Sequence, residues 1–465
     1  RIPIGAFAGG GGAIAAVGNQ VLYATPQGRL GILRPAAAGS GYELRHVDAV
    51  VPMNRAGLRD SPFVRNPQFN TNYFRTFGML PLRRADGRFS LYVSHHRYAG
   101  GCIEFVVSRA SLTESPDGID VDGMSWEDFF VAQPCIRVKA SGHPFGGHQA
   151  GGRLARRSEN TLLITVGDHE FDGFNDPQKA SMDPGSQLGK AIEIDLDTRQ
   201  ATIFATGLRN PQGLFISSDG LVWETEHGPH GGDELNVLQR GLNYGWPEVS
   251  FGLNYGFPSR PWPANPDQGR HAGYTEPAFA FLPSIGISNL IETDSDEFPL
   301  WKGDLLVTSL KDTAIWRLRR AADRIIYSER IPLGERLRDI QSLPGGQLVL
   351  LTDKANLIVI RRGGQRASGE APTEAQVEPG IAVTGYDTIR KALADESLLP
   401  VNTGSGHESG KELFNARCAG CHAPSSGPGI GPPLQGVVGR EIGSVEGYPY
   451  SEALARAEGP WTRQR

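Results

Sequence analysis

The stretch 303–318, "GDLLVTSLKDTAIWRL", decides the fold. A Gly-Asp turn opens it, "LLVTS" follows as a short apolar and β-branched run, "LKDT" makes a polar end, and "AIWRL" begins a second run. Neither run carries the three-to-four-residue spacing of an amphipathic helix. The plan recurs in "GQLVLLTDKANLIVI" (346–360), "DGLVWETEHG" (219–228), "NTLLITVGDHE" (160–170), "GRFSLYVSHHRY" (87–98) and "NQVLYATPQGRLGIL" (19–33).

These are six strand-turn-strand units at irregular spacing, separated by Gly, Asp, Asn and Pro, with little helical periodicity between them. Radial repetition of small antiparallel sheets is the arrangement that suits them, so residues 1–363 are expected to form an all-β six-bladed propeller. A large β-sandwich is the alternative. The 60 glycines and 33 prolines of the 465-residue chain are scattered, as in a turn-rich β protein. The formal charge of −5 gives no reason to expect a nucleic-acid partner. No run of about 18 apolar residues exists, so no transmembrane segment is expected. The chain begins at Arg1 without a visible signal peptide, and both ends read as cut.

Composition changes at 364–408, where Pro, Ser, Gly and Glu dominate both ends of the stretch; this reads as a linker. A second unit, 409–465, contains "CAGCH". Cys418 and Cys421 are spaced to add to the two vinyl groups of haem, and His422 follows directly to reach the iron. The surrounding "LFNARCAGCHAPSSGPGIGPPLQGVVGREIGSVEGYPYSEAL" resembles class I monohaem cytochromes c. The resemblance implies a small all-α cytochrome c-like domain holding haem c. Met53, Met79, Met124 and Met182 all precede the motif, and no His follows His422. The unit is therefore expected to be incomplete, cut before its distal ligand, or to leave the sixth iron position open.

Residues 207–255 are too polar for a plain strand pair. "EHGPHGGDELN" (226–236) could turn main-chain carbonyls toward Ca²⁺, a hard ion that prefers oxygen ligands. From about His148 to Ile360 the chain resembles the soluble PQQ-dependent glucose and aldose sugar dehydrogenases, the glucose/sorbosone dehydrogenase family. The carrying motifs are "HQAGGRL" (148–154), "GLRNPQG" (207–213), "EHGPHGGDELN", "VTSLKDTAIWRL" (307–318) and "ERLRDIQSLPGG" (335–346). The resemblance implies that His148 is the catalytic base, with His143 in "GHPFGG" as a rival because the motif has an extra residue. It implies a catalytic role for Arg209. Asn210, Gln212, His227, Lys311, Arg336 and Arg338 are implied to hold PQQ, and the main-chain carbonyls of Gly228 and Pro229 to hold Ca²⁺. Arg336 and Arg338 alternate across one residue and are expected on the same side of a strand. Guanidinium groups suit the carboxylates of PQQ through forked hydrogen bonds.

The expected function is PQQ- and Ca²⁺-dependent oxidation of an aldose, C1 hydroxyl to lactone, with electrons passing to the fused haem c and on to an external cytochrome or quinone. A Ca²⁺-dependent propeller lactonase or other hydrolase, and a non-catalytic propeller binding module carrying a haem, are the rivals. "LPSIGISNL" lacks the features expected of either known substrate class, which leaves the sugar open. Haem c is attached outside the cytoplasm, so a periplasmic or secreted location is expected. A Cys102–Cys135 bridge is then the natural pairing.

Overall fold

A computed structural model describes residues 1–5, 10–36, 41–65, 69–115, 118–121, 123–137, 148–254 and 271–362 of the propeller region. Beyond it, 432, 434, 436–446, 448, 450 and 459–461 are described. His143, the 364–408 stretch, Cys418, Cys421 and His422 lie outside the described residues. The chain divides into two compact units, Arg1–Gln365 and Arg366–Arg465.

The first unit is a six-bladed β-propeller. Its blades start from Ala13–Val17, Thr76–Arg83, Gly151–Arg156, Pro211–Ile216, Ile287–Glu292 and Leu337–Ser342. Each of these innermost strands contacts the corresponding strand of the two adjacent blades, and the last contacts the first, which closes the ring. The other strands of each blade follow outward in antiparallel order. The sixth blade is completed from the other end of the chain: Ile2–Pro3 pairs with Asn356–Ile360, Ile2 opposite Leu357.

Blades pack face to face, so their middle strands are covered on both sides. This is why "LLVTS" and "LVLLT" read as continuous apolar runs instead of alternating ones: every residue of Leu305–Ser309 and Leu348–Thr352 is buried. Separate apolar clusters fill the wedges between blades. One joins Trp223, Leu235 and Phe281 to Ile287, Leu290 and Val307, and so links blades four and five.

Five of the six innermost strands carry a register irregularity near their start. These fall between Thr76 and Gly78, Gly151 and Leu154, Pro211 and Gly213, Ile287 and Leu290, and Leu337 and Asp339. Such bulges re-aim side chains. They place Arg153, Gln212, Asn289 and Arg338 where their polar groups meet at the axis. Arg153 donates to Asp339 Oδ2 (2.6 Å), to the Gln212 carbonyl (2.8 Å) and to the Arg338 carbonyl (3.0 Å). Asn289 donates to Asp339 Oδ1 at 2.6 Å. The expectation that Arg336 and Arg338 share a side by simple alternation needs correction. Arg336 precedes its strand and Arg338 is the bulged residue, so what brings them together lies in the site itself.

The expected bridge between Cys102 and Cys135 is present, with the Cα atoms 5.9 Å apart.

Candidate active site

A cavity of about 460 Å³ opens at the bulged ends of the inner strands. His148, Arg209, Asn210, Gln212, His227, Arg336 and Arg338 all line it. Lys311 is exposed and is not among the described lining residues; its neighbour Leu310 is. Gln149, inside the "HQAGGRL" motif but given no role there, lines it too; Tyr73, Arg75, Glu170 and Asp353 complete the wall, and no site motif in the sequence pointed to them.

Asp353 explains the paired arginines. Arg338 meets it through Nε to Oδ1 (3.0 Å) and Nη2 to Oδ2 (3.1 Å), and Arg336 Nε reaches Oδ2 at 3.0 Å. Burial alone would raise this carboxyl; the two guanidinium groups outweigh it and hold Asp353 below the usual aspartate range. Arg75 lies in the same cluster. Burial, and then repulsion from Arg338, push its guanidinium down to about 9. The backbone beside these groups must be glycine. A Cβ on Gly11 (φ +102°) would sit 2.6 Å from Arg75 Cδ, and one on Gly10 (φ +62°) 2.6 Å from Asp353 Oδ1. The "GGGG" at 9–12 was thus a signal, in the sequence, of side chains crossing close by.

Arg209 is fixed from several directions. Its Nη1 donates to the main-chain carbonyls of His227 (3.0 Å) and Gly228 (2.9 Å), and its guanidinium lies 5.1 Å over the Trp246 ring. With the Gln149 amide turned to satisfy its neighbours, its oxygen accepts from Arg209 Nη2 at 3.0 Å and its nitrogen donates to Asp168 at 2.6 Å. Gln212 donates to Asn210 Oδ1 at 2.7 Å, and Arg338 donates to Gln212 Oε1 at 3.5 Å, which ties blades four and six together across the cavity. Burial first, with Arg209 and Arg338 adding to it, lowers His227 to about 4, so its imidazole is neutral at physiological pH.

The loop after Glu226 is shaped by close packing. A Cβ on Gly228 would overlap the carbonyl oxygens of Gly231 and Gly232. Asp233 holds the loop from below, accepting from Ser284 Oγ (2.7 Å) and the Ile287 amide (3.0 Å). Behind the loop Glu224, Glu226 and Glu234 are all buried. Burial raises all three carboxyls, Glu226 to about 7, and repulsion from Glu226 adds to the rise of Glu224 and Glu234. Glu226 Oε2 accepts the amides of Arg209 (2.6 Å) and Asn210 (3.3 Å), so these acids support the cavity from behind.

His148 stands on the same cavity wall, next to Gln149. Its ring centroid is 4.0 Å from that of Tyr73, and its Nδ1 is 3.3 Å from Glu170 Oε1.

The residues fit a polyanionic planar cofactor such as PQQ. Four arginines line one cavity with two carboxylates, and the buried Nε of Arg209 has no hydrogen-bond partner among the described residues. They also fit a cation beside it, because the His227 and Gly228 carbonyls already converge on one positive group. Among the described residues no group of three or more His, Cys, Asp or Glu side chains is arranged for a metal. Ca²⁺ here would rest on main-chain oxygens.

Residues 13–361 match the Glucose / Sorbosone dehydrogenase family, and residues 407–465 match Cytochrome c. Aldose sugar dehydrogenase YliI of Escherichia coli (strain K12) is 32% identical over 226 residues, 45% of this chain and 58% of that protein. The uncharacterized protein slr1608 of Synechocystis sp. is 34% identical over 241 residues, 46% of this chain and 56% of that one. The chain thus spans a little over half the length of these curated relatives. The PQQ-bound form of Aldose Sugar Dehydrogenase from Streptomyces coelicolor shares the fold, with a TM-score of 0.52 at 18% identity over 76% of this chain and 92% of that one. With its propeller matched nearly end to end, the chain belongs to the glucose/sorbosone dehydrogenase family and carries a cytochrome c domain at its C-terminal end.

Proposed function

We propose that the propeller oxidises an aldose, or a closely related alcohol, from the C1 hydroxyl to the lactone at a PQQ–Ca²⁺ site. The two electrons leave through haem c of the C-terminal domain to an external cytochrome or quinone. The observation that carries this reading is the convergence of Arg75, Arg209, Arg336, Arg338 and His148 on one cavity. A hydrolase has no use for so many guanidinium groups around one cavity, three of them buried, whereas a tricarboxylate needs them.

When bound, PQQ supplies an ortho-quinone that accepts the hydride of the sugar C1, and Ca²⁺ supplies Lewis acidity. The protein does the rest. Arg336 and Arg338, stitched together by Asp353, bind cofactor carboxylates from one side. Lys311, exposed one residue beyond Leu310, would add a charge by swinging its long side chain inward. Gln212 and Asn210 fix the cofactor's edge, and neutral His227 donates without adding charge. The carbonyls of Gly228 and Pro229 would hold the cation, and Arg209, held beside the Gly228 carbonyl, would present its unpartnered Nε to the cofactor. His148 takes the hydroxyl proton of the substrate as hydride leaves carbon. Haem, expected on Cys418, Cys421 and His422, supplies a one-electron acceptor on the same chain, which raises its effective concentration.

The test is reconstitution of the full chain with PQQ and Ca²⁺. Sugar-dependent dye reduction and lactone should appear together. PQQ binding without sugar turnover would remove the proposed substrate class, and absence of a PQQ absorbance change on titration would remove the reading itself.

A further inference from the structure

Resting on that reading, we propose that Tyr73 is the positioning residue of His148: its aromatic ring, itself held by Arg75, fixes the plane of the imidazole at the cavity wall. The juxtaposition behind this is the 4.0 Å approach of the Tyr73 and His148 ring centroids, with the Arg75 guanidinium carbon 5.3 Å from the centroid of the same Tyr73 ring.

His148 needs holding. Its side chain is 45% exposed, and among the described residues its ring makes no hydrogen bond; Glu170 Oε1 stands 3.3 Å from Nδ1 without forming one. The backbone beside it is fixed, because the His169 amide donates to the Gln149 carbonyl at 3.1 Å. A half-exposed ring on a fixed backbone can still leave its rotamer. A proton transfer asks for one orientation of the base, so packing has to supply what hydrogen bonding does not.

Tyr73 is the rigid side of this contact. It ends a short 3₁₀ turn, Thr71–Tyr73, that leads into the innermost strand of the second blade, whereas His148 leads into the third. The turn is closed by the Asn72 amide on Asn70 Oδ1 (3.0 Å) and the Phe74 amide on the Thr71 carbonyl (3.2 Å). Phe74, the next residue, is buried, and its carbonyl accepts from Arg55 Nη1 at 2.7 Å. The Tyr73 carbonyl lies 3.2 Å from His96 Nδ1, on the second strand of the same blade. Arg75 is buried where Gly11 leaves it room, and so holds the Tyr73 ring from a fixed position. The choice of an aromatic neighbour matters once the base has worked. The proton taken from the sugar hydroxyl makes the imidazole a cation, and the electron-rich face of a ring attracts a cation where an aliphatic group would only strip its water. The contact therefore persists through the proton transfer.

The test compares Tyr73→Leu, Tyr73→Phe and His148→Gln in the full chain loaded with PQQ and Ca²⁺, with folding checked by thermal transition and cofactor binding by absorbance. Tyr73→Leu should lose roughly tenfold in kcat with KM within about twofold, and Tyr73→Phe, which keeps the ring, should recover most of that loss. Independently of turnover, ¹H–¹³C spectra of the cofactor-free protein labelled in its histidine rings should show a His148 signal displaced by the ring current of Tyr73, with His148→Gln identifying it. The displacement should persist in Tyr73→Phe and vanish in Tyr73→Leu. Tyr73→Phe as impaired as Tyr73→Leu would give the role to the hydroxyl, and a raised KM at unchanged kcat in Tyr73→Leu would make Tyr73 a sugar-binding group. Either result overturns the proposal, as does a His148 signal that ignores Tyr73→Leu. If His148→Gln keeps its turnover, the base assignment fails and the role of Tyr73 falls with it.

Discussion

Arg338 and Asp353 are joined by two parallel hydrogen bonds, Nε to Oδ1 at 3.0 Å and Nη2 to Oδ2 at 3.1 Å, and Arg336 reaches the same carboxylate. One negative charge thus holds two positive ones side by side, facing a cavity.

The two arginines should contribute unequally to cofactor binding. The Arg338 side chain is 8% exposed and that of Arg336 is 51% exposed. A charge pair formed with a cofactor carboxylate in the dry position is screened less. Arg338→Ala is expected to weaken PQQ binding by about 100-fold or more, and Arg336→Ala by about tenfold. Absorbance titration of the apoprotein measures both; equal losses would remove the argument from burial. Asp353→Asn tests the clamp itself. Because the folded Asp353 carboxyl is held below its ordinary value of 3.8, its contribution is complete above about pH 5 and disappears as pH falls through the folded value. Asp353→Asn should therefore cost about 2 kcal/mol at pH 7 and progressively less below pH 4 in denaturant titrations.

Stability at higher pH should be governed by the acids behind the loop that follows Glu226. Burial raises Glu224, Glu226 and Glu234, with Glu226 adding to the rise of the other two, so between the ordinary glutamate value of 4.5 and the folded value the native state binds more protons than the unfolded one. Stability must then fall as pH rises through that window, which for Glu226 extends to about 7. Each group contributes a slope of about 1.4 kcal/mol per pH unit while it titrates. Urea unfolding of the cofactor-free chain from pH 5 to 8 should show the decline, and Glu226→Gln should flatten it. A stability that rises over this interval would show that these carboxyls are ionised in the fold.

The blades were legible because a middle strand covered on both faces leaves an unbroken apolar run with turns at its ends, as Leu305–Ser309 and Leu348–Thr352 do. Cavity-lining residues were legible where they sit together in a short contiguous stretch, as in Gly207–Gly213. Tyr73, Arg75, Glu170 and Asp353 were not legible. Each is single in its segment, and each enters the cavity through a tertiary device: Arg75 and Asp353 pass close to Gly11 and Gly10, which are distant from them in sequence, and Glu170 sits on a left-handed turn. The pairing of Arg336 with Arg338 was anticipated, but for an inadequate reason. A bulge and a shared carboxylate align them, and neither can be read from two-residue spacing.

Asp339 should be among the residues least tolerant of truncation. It is wholly buried at the axis, and accepts from the Ile14 amide (2.9 Å), Arg153 Nη1 (2.6 Å) and Asn289 Nδ2 (2.6 Å). These donors come from blades one, three and five, while Asp339 belongs to the sixth. Asp339→Ala would leave the Arg153 charge buried without its partner and is expected to cost about 3–5 kcal/mol. Arg153→Met with Asp339→Leu removes both charges at similar volume and should recover much of the loss in chemical denaturation. No recovery in the double variant would show that the backbone bonds to Gln212 and Arg338, and not the ion pair, set the stability.

Loss of the Cys102–Cys135 bond should separate stability from cofactor binding. The bond spans 33 residues of sequence and clamps the segment leading to Ile136–Arg137 against Cys102–Ser111, beside the pairing of Arg137 with Cys102. Releasing a loop of that length returns entropy to the unfolded chain, worth about 3–4 kcal/mol. The wall that carries His148 is anchored elsewhere, through the backbone bonds of Gln149 and Ala150 to His169 and Gly167. Cys102→Ala with Cys135→Ala should therefore lower the midpoint of urea unfolding markedly while leaving PQQ affinity within about threefold. If cofactor affinity collapses together with stability, the bridge would be holding the cavity as well as the second blade. In that case the anchoring of His148 by Gly167–Glu170 would be insufficient on its own.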